Sequence, residues 1–291
     1  MVGAALRSPS ARRRAAFSLS AAPSPPPLPL RRSRKFWGSR NFSGSGRFWG
    51  SCRTRDSLLP VTAPRALVVG GSSDIGTAIA ADLADLGHDL VLWGRDRGRL
   101  AAAAATSGGA SANVVDVTDG EAMTRALDGV LAEGGLDVVV WAAGLFDWSP
   151  AQEADPGRWR QVLDVNITAA AVLTSLVLPT LVARAPSALV YIGSGAARRA
   201  YPGNAAYVAS KHGLAGLAHA VFLDVRDYGV KVSLVSPGMV AAGASLLSPA
   251  GRERPGQLLT PDDVAAAVRF VVTFPTSGCP VEIDLQPQRS T

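Results

Sequence analysis

Cysteine is nearly absent: only Cys52 and Cys279 occur in 291 residues. No disulfide framework and no zinc-ligand spacing can be built from two distant thiols. Long apolar runs are scarce as well. The longest, Ala169 to Ala183, contains Pro179 and falls short of the ~20 residues a membrane span needs. A buried or interface helix is expected there, and no membrane partner. Acid is missing from the first 55 residues, which hold eleven Arg and one Lys before Asp56 appears. The formal charge of +6 therefore misleads. The rest of the chain carries 17 basic and 23 acidic residues, so nothing points to a nucleic-acid surface on the body.

The amino end also lacks apolar material to bury. It is rich in Arg, Ser, Pro, Gly and Ala, and Pro23, Pro25, Pro26, Pro27 and Pro29 forbid a continuous helix. Residues 1–62 are expected to form a disordered basic tail, and residues 63–291 the folded part. An Arg-rich, acid-poor segment also suits an organelle transit peptide or a wrongly chosen start. No uninterrupted apolar core follows the first arginines, so a secretory signal does not fit. The expected location is the cytoplasm, with an organelle as the alternative.

From Arg65 onward, strand and helix signals alternate. Ala66 to Val69, Asp89 to Trp93, Asn113 to Val117, Leu136 to Trp141, Leu189 to Ile192 and Val230 to Val235 read as buried strands. Val281 to Leu285 reads as the last strand. Helical stretches lie between them, including Thr77–Leu86, Asp119–Glu133, Asp164–Ala183 and the proline-free Ala205–Tyr228. Thr260-Pro261-Asp262-Asp263 is a helix start with cap, proline and acids in place. Met239 to Leu259 shows no period and reads as a mobile loop. The alternation predicts an α/β fold, a doubly wound parallel sheet of the Rossmann type. Ligands in such sheets bind beyond the carboxyl ends of the strands. Gly71, Arg95, Asp116, Gly144, Ser194 and Pro237 all follow strands, so they converge on one edge.

Within that frame, Gly71 to Gly76 forms a strand–turn–helix layout that presents a helix amino end to a phosphate. Arg95, after the second strand, would meet a ribose 2′-phosphate and so favours NADP over NAD; otherwise it is a solvated loop arginine. Asp116 could accept from an adenine amino group. Ala142-Ala143-Gly144 permits close backbone approach. Asn166, inside an apolar helix, needs partners, either in a structural network or around a catalytic water. Tyr207 and Lys211 are four residues apart on one helical face. An adjacent ammonium is expected to lower the phenol and make it a general acid or base. Ser194 ends a strand in the same sheet and could point at the same spot.

From about Arg65 to the end, the chain resembles the short-chain dehydrogenase/reductase family in its single-domain form. Gly71 to Gly76 is similar to the family's cofactor turn, Ala142-Ala143-Gly144 to the end of its Asn-Asn-Ala-Gly element, and Pro237-Gly238 to its nicotinamide-side turn. Asn166, Ser194, Tyr207 and Lys211 fall where its catalytic tetrad falls, with the serine thirteen residues before the tyrosine. The resemblance implies hydride exchange between NADP and a secondary alcohol or ketone, such as a 3-hydroxy acid or 3-oxoacyl compound. Tyr207 would move the proton, Lys211 would tune it and hold the ribose, Ser194 would hold the substrate oxygen, and Asn166 a relay water. It implies cofactor contacts from Gly71, Ser73, Asp74, Ile75 and Gly76, then Asp116, Val117, Ala143 and Gly144, then Pro237 and Gly238. It also implies a homodimer or homotetramer. Asp74 replaces the family's middle glycine and Trp141 its first Asn. A nucleotide-binding regulator without turnover is the competing reading.

Overall fold

The computed structural model describes residues 63–289. The expectations for residues 1–62 lie outside the described residues. Seven parallel strands form one sheet in the order β3-β2-β1-β4-β5-β6-β7. They are β1 Arg65–Val69, β2 Asp89–Gly94, β3 Ser111–Val114, β4 Val138–Trp141, β5 Ser187–Ile192, β6 Val230–Pro237 and β7 Glu282–Leu285. The order reverses between β1 and β4, which opens a crevice at the carboxyl edge.

Because strand side chains alternate, β1 supplies both cores. Leu67 and Val69 face one side, Ala66 and Val68 the other. The first face is covered by α3 Gly120–Ala132, α5 Ala169–Ala183 and α6 Ala205–Val225. The second is covered by α1 Asp74–Asp85, α2 Arg97–Thr106 and α8 Pro261–Thr273. Each fully buried Leu or Val contributes roughly 1.5–3 kcal/mol. The α1–α8 contact is also tied by Arg269, whose guanidinium donates to the Asp82 carboxylate at 2.6–2.9 Å. By length and composition alone, Pro156–Ala183 could cross a membrane. Here it lies on the sheet, with Leu173, Val177 and Leu181 fully covered.

Several boundaries differ from the sequence reading. Helix α1 starts at Asp74 rather than Thr77, because Ser73 is its cap and accepts from the Gly76 N–H at 3.0 Å. Strand β3 stops at Val114, so Asp116 and Val117 sit beyond its end. β3 is an edge strand, and its pairing with β2 runs out at Gly94. The Asp164–Ala183 helix is interrupted: α4 Pro156–Leu163 passes through a π-turn at Asp164–Thr168 before α5 begins.

The segment after β6 is not the aperiodic loop expected. It holds a 3₁₀ turn at Gly243–Leu247, the short α7 Pro249–Glu253 and a second 3₁₀ turn at Pro255–Gln257. Helices of three to five residues are too short to show a period. Ala241 N–H donates to Leu259 O at 2.7 Å and closes the base of the segment.

Leu173→Ala should cost about 2–5 kcal/mol of unfolding free energy. Chemical denaturation of the purified protein measures it. A loss under 1 kcal/mol would mean that α5 is not packed on the sheet as described.

Candidate active site

Two cavities meet at the carboxyl edge, and Ser194 and Tyr207 line both. The larger measures about 640 Å³ and has an apolar wall that includes Phe146, Trp148 and Met239. The smaller, about 310 Å³, runs past Lys211, Gly144, Pro237 and Gly238 to Ser73, Asp74 and Ile75. A third, about 240 Å³, continues from Ser73 to Arg95, Asp116, Val117, Ala143 and Gly144. Together the last two form a groove over the β1–β4 crevice.

The glycine turn leaves room for a ligand lying on it, and Gly76 provides close packing behind it. Gly71 and Gly76 line neither part of the groove. Gly76 is the packing glycine: a Cβ there would lie 2.2 Å from Gly70 O. Gly70, missed in the sequence, has φ +87°, and a Cβ on it would strike Ala143 N at 2.6 Å. Its position one residue before Gly71 was the available signal. Ser73 donates its hydroxyl to Gly70 O at 2.8 Å and caps α1, which aims the helix amino end into the groove.

Asp74, in the first turn of α1, lines the groove with its carboxylate engaged. Its carboxylate accepts the Gly243 N–H at 3.0 Å, across 169 residues, and lies 3.8 Å from the Arg99 guanidinium. The turn and the segment after β6 are thereby strapped together. Arg99, also missed, lines both parts of the groove; its place is set because Asp96 caps α2 by accepting the Arg99 N–H at 2.9 Å. Arg95 is exposed at the far end. Asp116 accepts from the Thr118 N–H and hydroxyl at 2.9 and 2.7 Å. Those bonds, with Arg95 nearby, hold its carboxyl below the usual range and leave one oxygen uncommitted.

Asn166 sits in the π-turn, fully buried. Its amide oxygen accepts the Leu145 N–H at 2.7 Å, and its NH₂ donates to Leu145 O at 2.9 Å and Ser210 Oγ at 3.0 Å. The side chain therefore clamps the loop after β4 to α6, which is the structural network the sequence left open. Trp141 is buried beside this loop, and its indole N–H finds no partner among the described residues.

Lys211 is buried and donates to Ile192 O at 3.0 Å, with Nζ 5.7 Å from the centre of the Tyr207 ring. The expected lowering of the phenol is not what the site shows. Burial pushes Tyr207 up, opposed by its hydrogen bond to Ser194, and burial pulls Lys211 down to about 8. Both charged forms lose solvation here, and that loss is the largest influence on each. Ser194 Oγ also accepts the Ala196 N–H at 3.1 Å, which fixes its rotamer at the end of β5.

Two outcomes follow from these contacts. Below about pH 8 the folded protein bears the whole cost of a buried ammonium. Between about 8 and 10 the folded state sheds that proton while the unfolded chain, with lysine at its ordinary 10.5, keeps it. Stability of the cofactor-free protein should therefore rise with pH across that window, and Lys211→Met should flatten the rise in denaturant titrations. Asp74→Ala should speed hydrogen exchange at Ala242–Leu247 at least fivefold. Unchanged exchange there would rule out the strap.

Comparison with known proteins agrees with the geometry. The short chain dehydrogenase family model matches residues 64–249. An uncharacterised oxidoreductase of Staphylococcus saprophyticus is 30% identical over 228 residues, covering 76% of this chain and 96% of that protein. Another, from Myxococcus xanthus, is 37% identical over 180 residues, covering 60% and 71%. Among solved structures, a metagenomic short-chain oxidoreductase in complex with NADP aligns at TM-score 0.67 and 30% identity over 78% of this chain and 98% of its own. An actinorhodin polyketide ketoreductase variant with NADPH aligns at TM-score 0.72 over 77% and 96%, and at 24% identity shares the fold. The match runs through the glycine turn, the strand-end serine and the tyrosine–lysine helix, and the chain belongs to the short chain dehydrogenase family as one of its oxidoreductases.

Proposed function

We propose that the protein is an NADP-dependent oxidoreductase that interconverts a secondary alcohol and a ketone, with Tyr207 as the proton donor and acceptor. The observation that carries this reading is the junction: Ser194 and Tyr207 line both the apolar cavity and the groove that leads to the glycine turn. NADP is supported by Arg95 at the far end of the groove, by Arg99 where its two parts meet, and by its presence in a related structure. Arg95 and Arg99 would meet the 2′-phosphate side, Asp116 and Val117 the adenine side, and Ser73, Ile75 and the α1 amino end the pyrophosphate. Ala143, Gly144, Pro237 and Gly238 would flank the nicotinamide half. Gly71 and Gly76 shape the turn behind them. When bound, the cofactor supplies a hydride to or from a carbonyl carbon.

The chain's own residues then have separable tasks. Ser194 donates its hydroxyl to the substrate oxygen and holds it at Tyr207. Tyr207 gives its proton to that oxygen during reduction and takes it back during oxidation. Lys211, held by Ile192 O, has three N–H donors at most and one is committed; the others are available to the cofactor ribose and to a water. Asn166 keeps α6 in register with the loop after β4. The substrate belongs to the secondary alcohols and ketones, with 3-hydroxy acids and 3-oxoacyl compounds as the first classes to assay. The assembly that goes with this reading is a homodimer or homotetramer, supported by exposed Val172 on α5 and Leu223 on α6. Its place is the cytoplasm, or an organelle if residues 1–62 direct import.

NADP should bind clearly tighter than NAD, and Arg95→Asp should erase the difference in equilibrium titrations. Tyr207→Phe should lower kcat by about 10²–10⁴ on any ketone that is reduced. NADPH consumption against 3-hydroxy acids, acyl thioester mimics and small and aromatic ketones is the decisive assay. Cofactor binding without turnover on any of them would favour the regulator.

A further inference from the structure

The 640 Å³ cavity is built from a fastened aromatic wall. Phe146 packs edge-to-face on Tyr207, with ring centres 4.9 Å apart, and on Trp148 at 6.0 Å. Trp148 in turn lies on Gly203, where a Cβ would come within 3.1 Å of the indole. The Ser149 N–H donates to Gly203 O at 2.9 Å and joins this wall to the segment that leads into α6. The size falls in the range of sites for ring-bearing ligands, roughly 300–1,000 Å³. A substrate as small as serine would leave most of it to water.

One lining side chain is charged, Arg199, and no carboxylate lines the cavity. The contrast with its neighbour is sharp. Arg198 is neutralised by Glu282 at 2.6 Å and Asp284 at 3.5 Å. Arg199 has no ion-pair partner among the described residues, and it lies exposed at the mouth. Guanidinium bonds planar oxyanions in pairs and adds orientation as well as attraction. An unpaired arginine on an otherwise uncharged wall therefore selects for what the ligand brings.

We infer that the cavity takes a substrate with an apolar ring system and one oxyanion, a carboxylate or a phosphate ester, and that Arg199 recognises that oxyanion. This deepens the function proposed above and rests on it. The ring system packs on Phe146, Trp148 and Tyr201, the carbonyl reaches Ser194 and Tyr207, and the oxyanion stays at the solvent-facing mouth.

The test is equilibrium binding of 2-naphthoate, 2-naphthyl phosphate and neutral 2-naphthamide to the full-length protein, with and without NADP. At least one anion should bind fivefold or more tightly than the amide. Arg199→Gln should bring that ratio below two, and Arg199→Lys should restore part of it. Because the ratio is internal to each variant, a general loss of folding does not imitate the result. Naphthoate ahead of the phosphate makes the substrate a carboxylate; the reverse order makes it a phosphate ester. Equal binding of all three, a ratio unmoved by Arg199→Gln, or no binding of any naphthyl ligand overturns the inference. NADPH consumption with the neutral ketone 2-acetylnaphthalene reports separately on the oxidoreductase reading. Its absence would count against proton and hydride transfer while the binding ratios still decide the role of Arg199.

Discussion

The bond on which the site depends is the one from the Lys211 ammonium to the Ile192 carbonyl. It joins α6 to the carboxyl end of β5 inside the protein. Lys211 lies one helical turn from Tyr207 and Ile192 two residues before Ser194, so this bond fixes the hydroxyl and the phenol relative to each other. Asn166 adds a second tie, from the loop after β4 to Ser210 on the same helix. The ends of two neighbouring strands, β4 and β5, are thereby held to α6 as one unit that shapes the groove.

This arrangement works against stability. A buried ammonium with one carbonyl partner is poorly solvated, and its pKa falls to about 8 in consequence. A hydrophobic side chain of similar length would suit the same space better. The unfavourable charge is tolerated because the surrounding elements over-determine its position. A ligand that supplies oxygens to Nζ would relieve the strain, so binding and stability are linked at this residue.

Much of the fold could be read from the sequence, because parallel strands buried on both faces appear as continuous apolar runs. Residues 66–69 and Val138–Trp141 are of that kind. The convergence of strand-end residues followed from the topology, without any contact being known. Three things could not be read. The π-turn leaves no mark in a hydrophobic pattern that continues through it. The short helices between Gly243 and Gln257 are below the length at which a period shows. The partners of Asp74 lie 25 and 169 residues away, and only the folded chain brings Arg99 and Gly243 to it. The ionisation of Tyr207 was misread for a related reason: spacing reports the nearby ammonium but not the loss of water around both groups.

The π-turn at Asp164–Thr168 carries a wider consequence. One residue more than an α-turn shifts the phase of everything after it by about 100°. Leu173, Val177 and Leu181 meet the sheet, and Val172 faces outward, only with that offset in place. The same offset sets the azimuth of Asn166. Whatever packs on the outer side of α5 is therefore geared to the polar clamp beneath the groove, and a single-residue deletion in this turn would reset both at once.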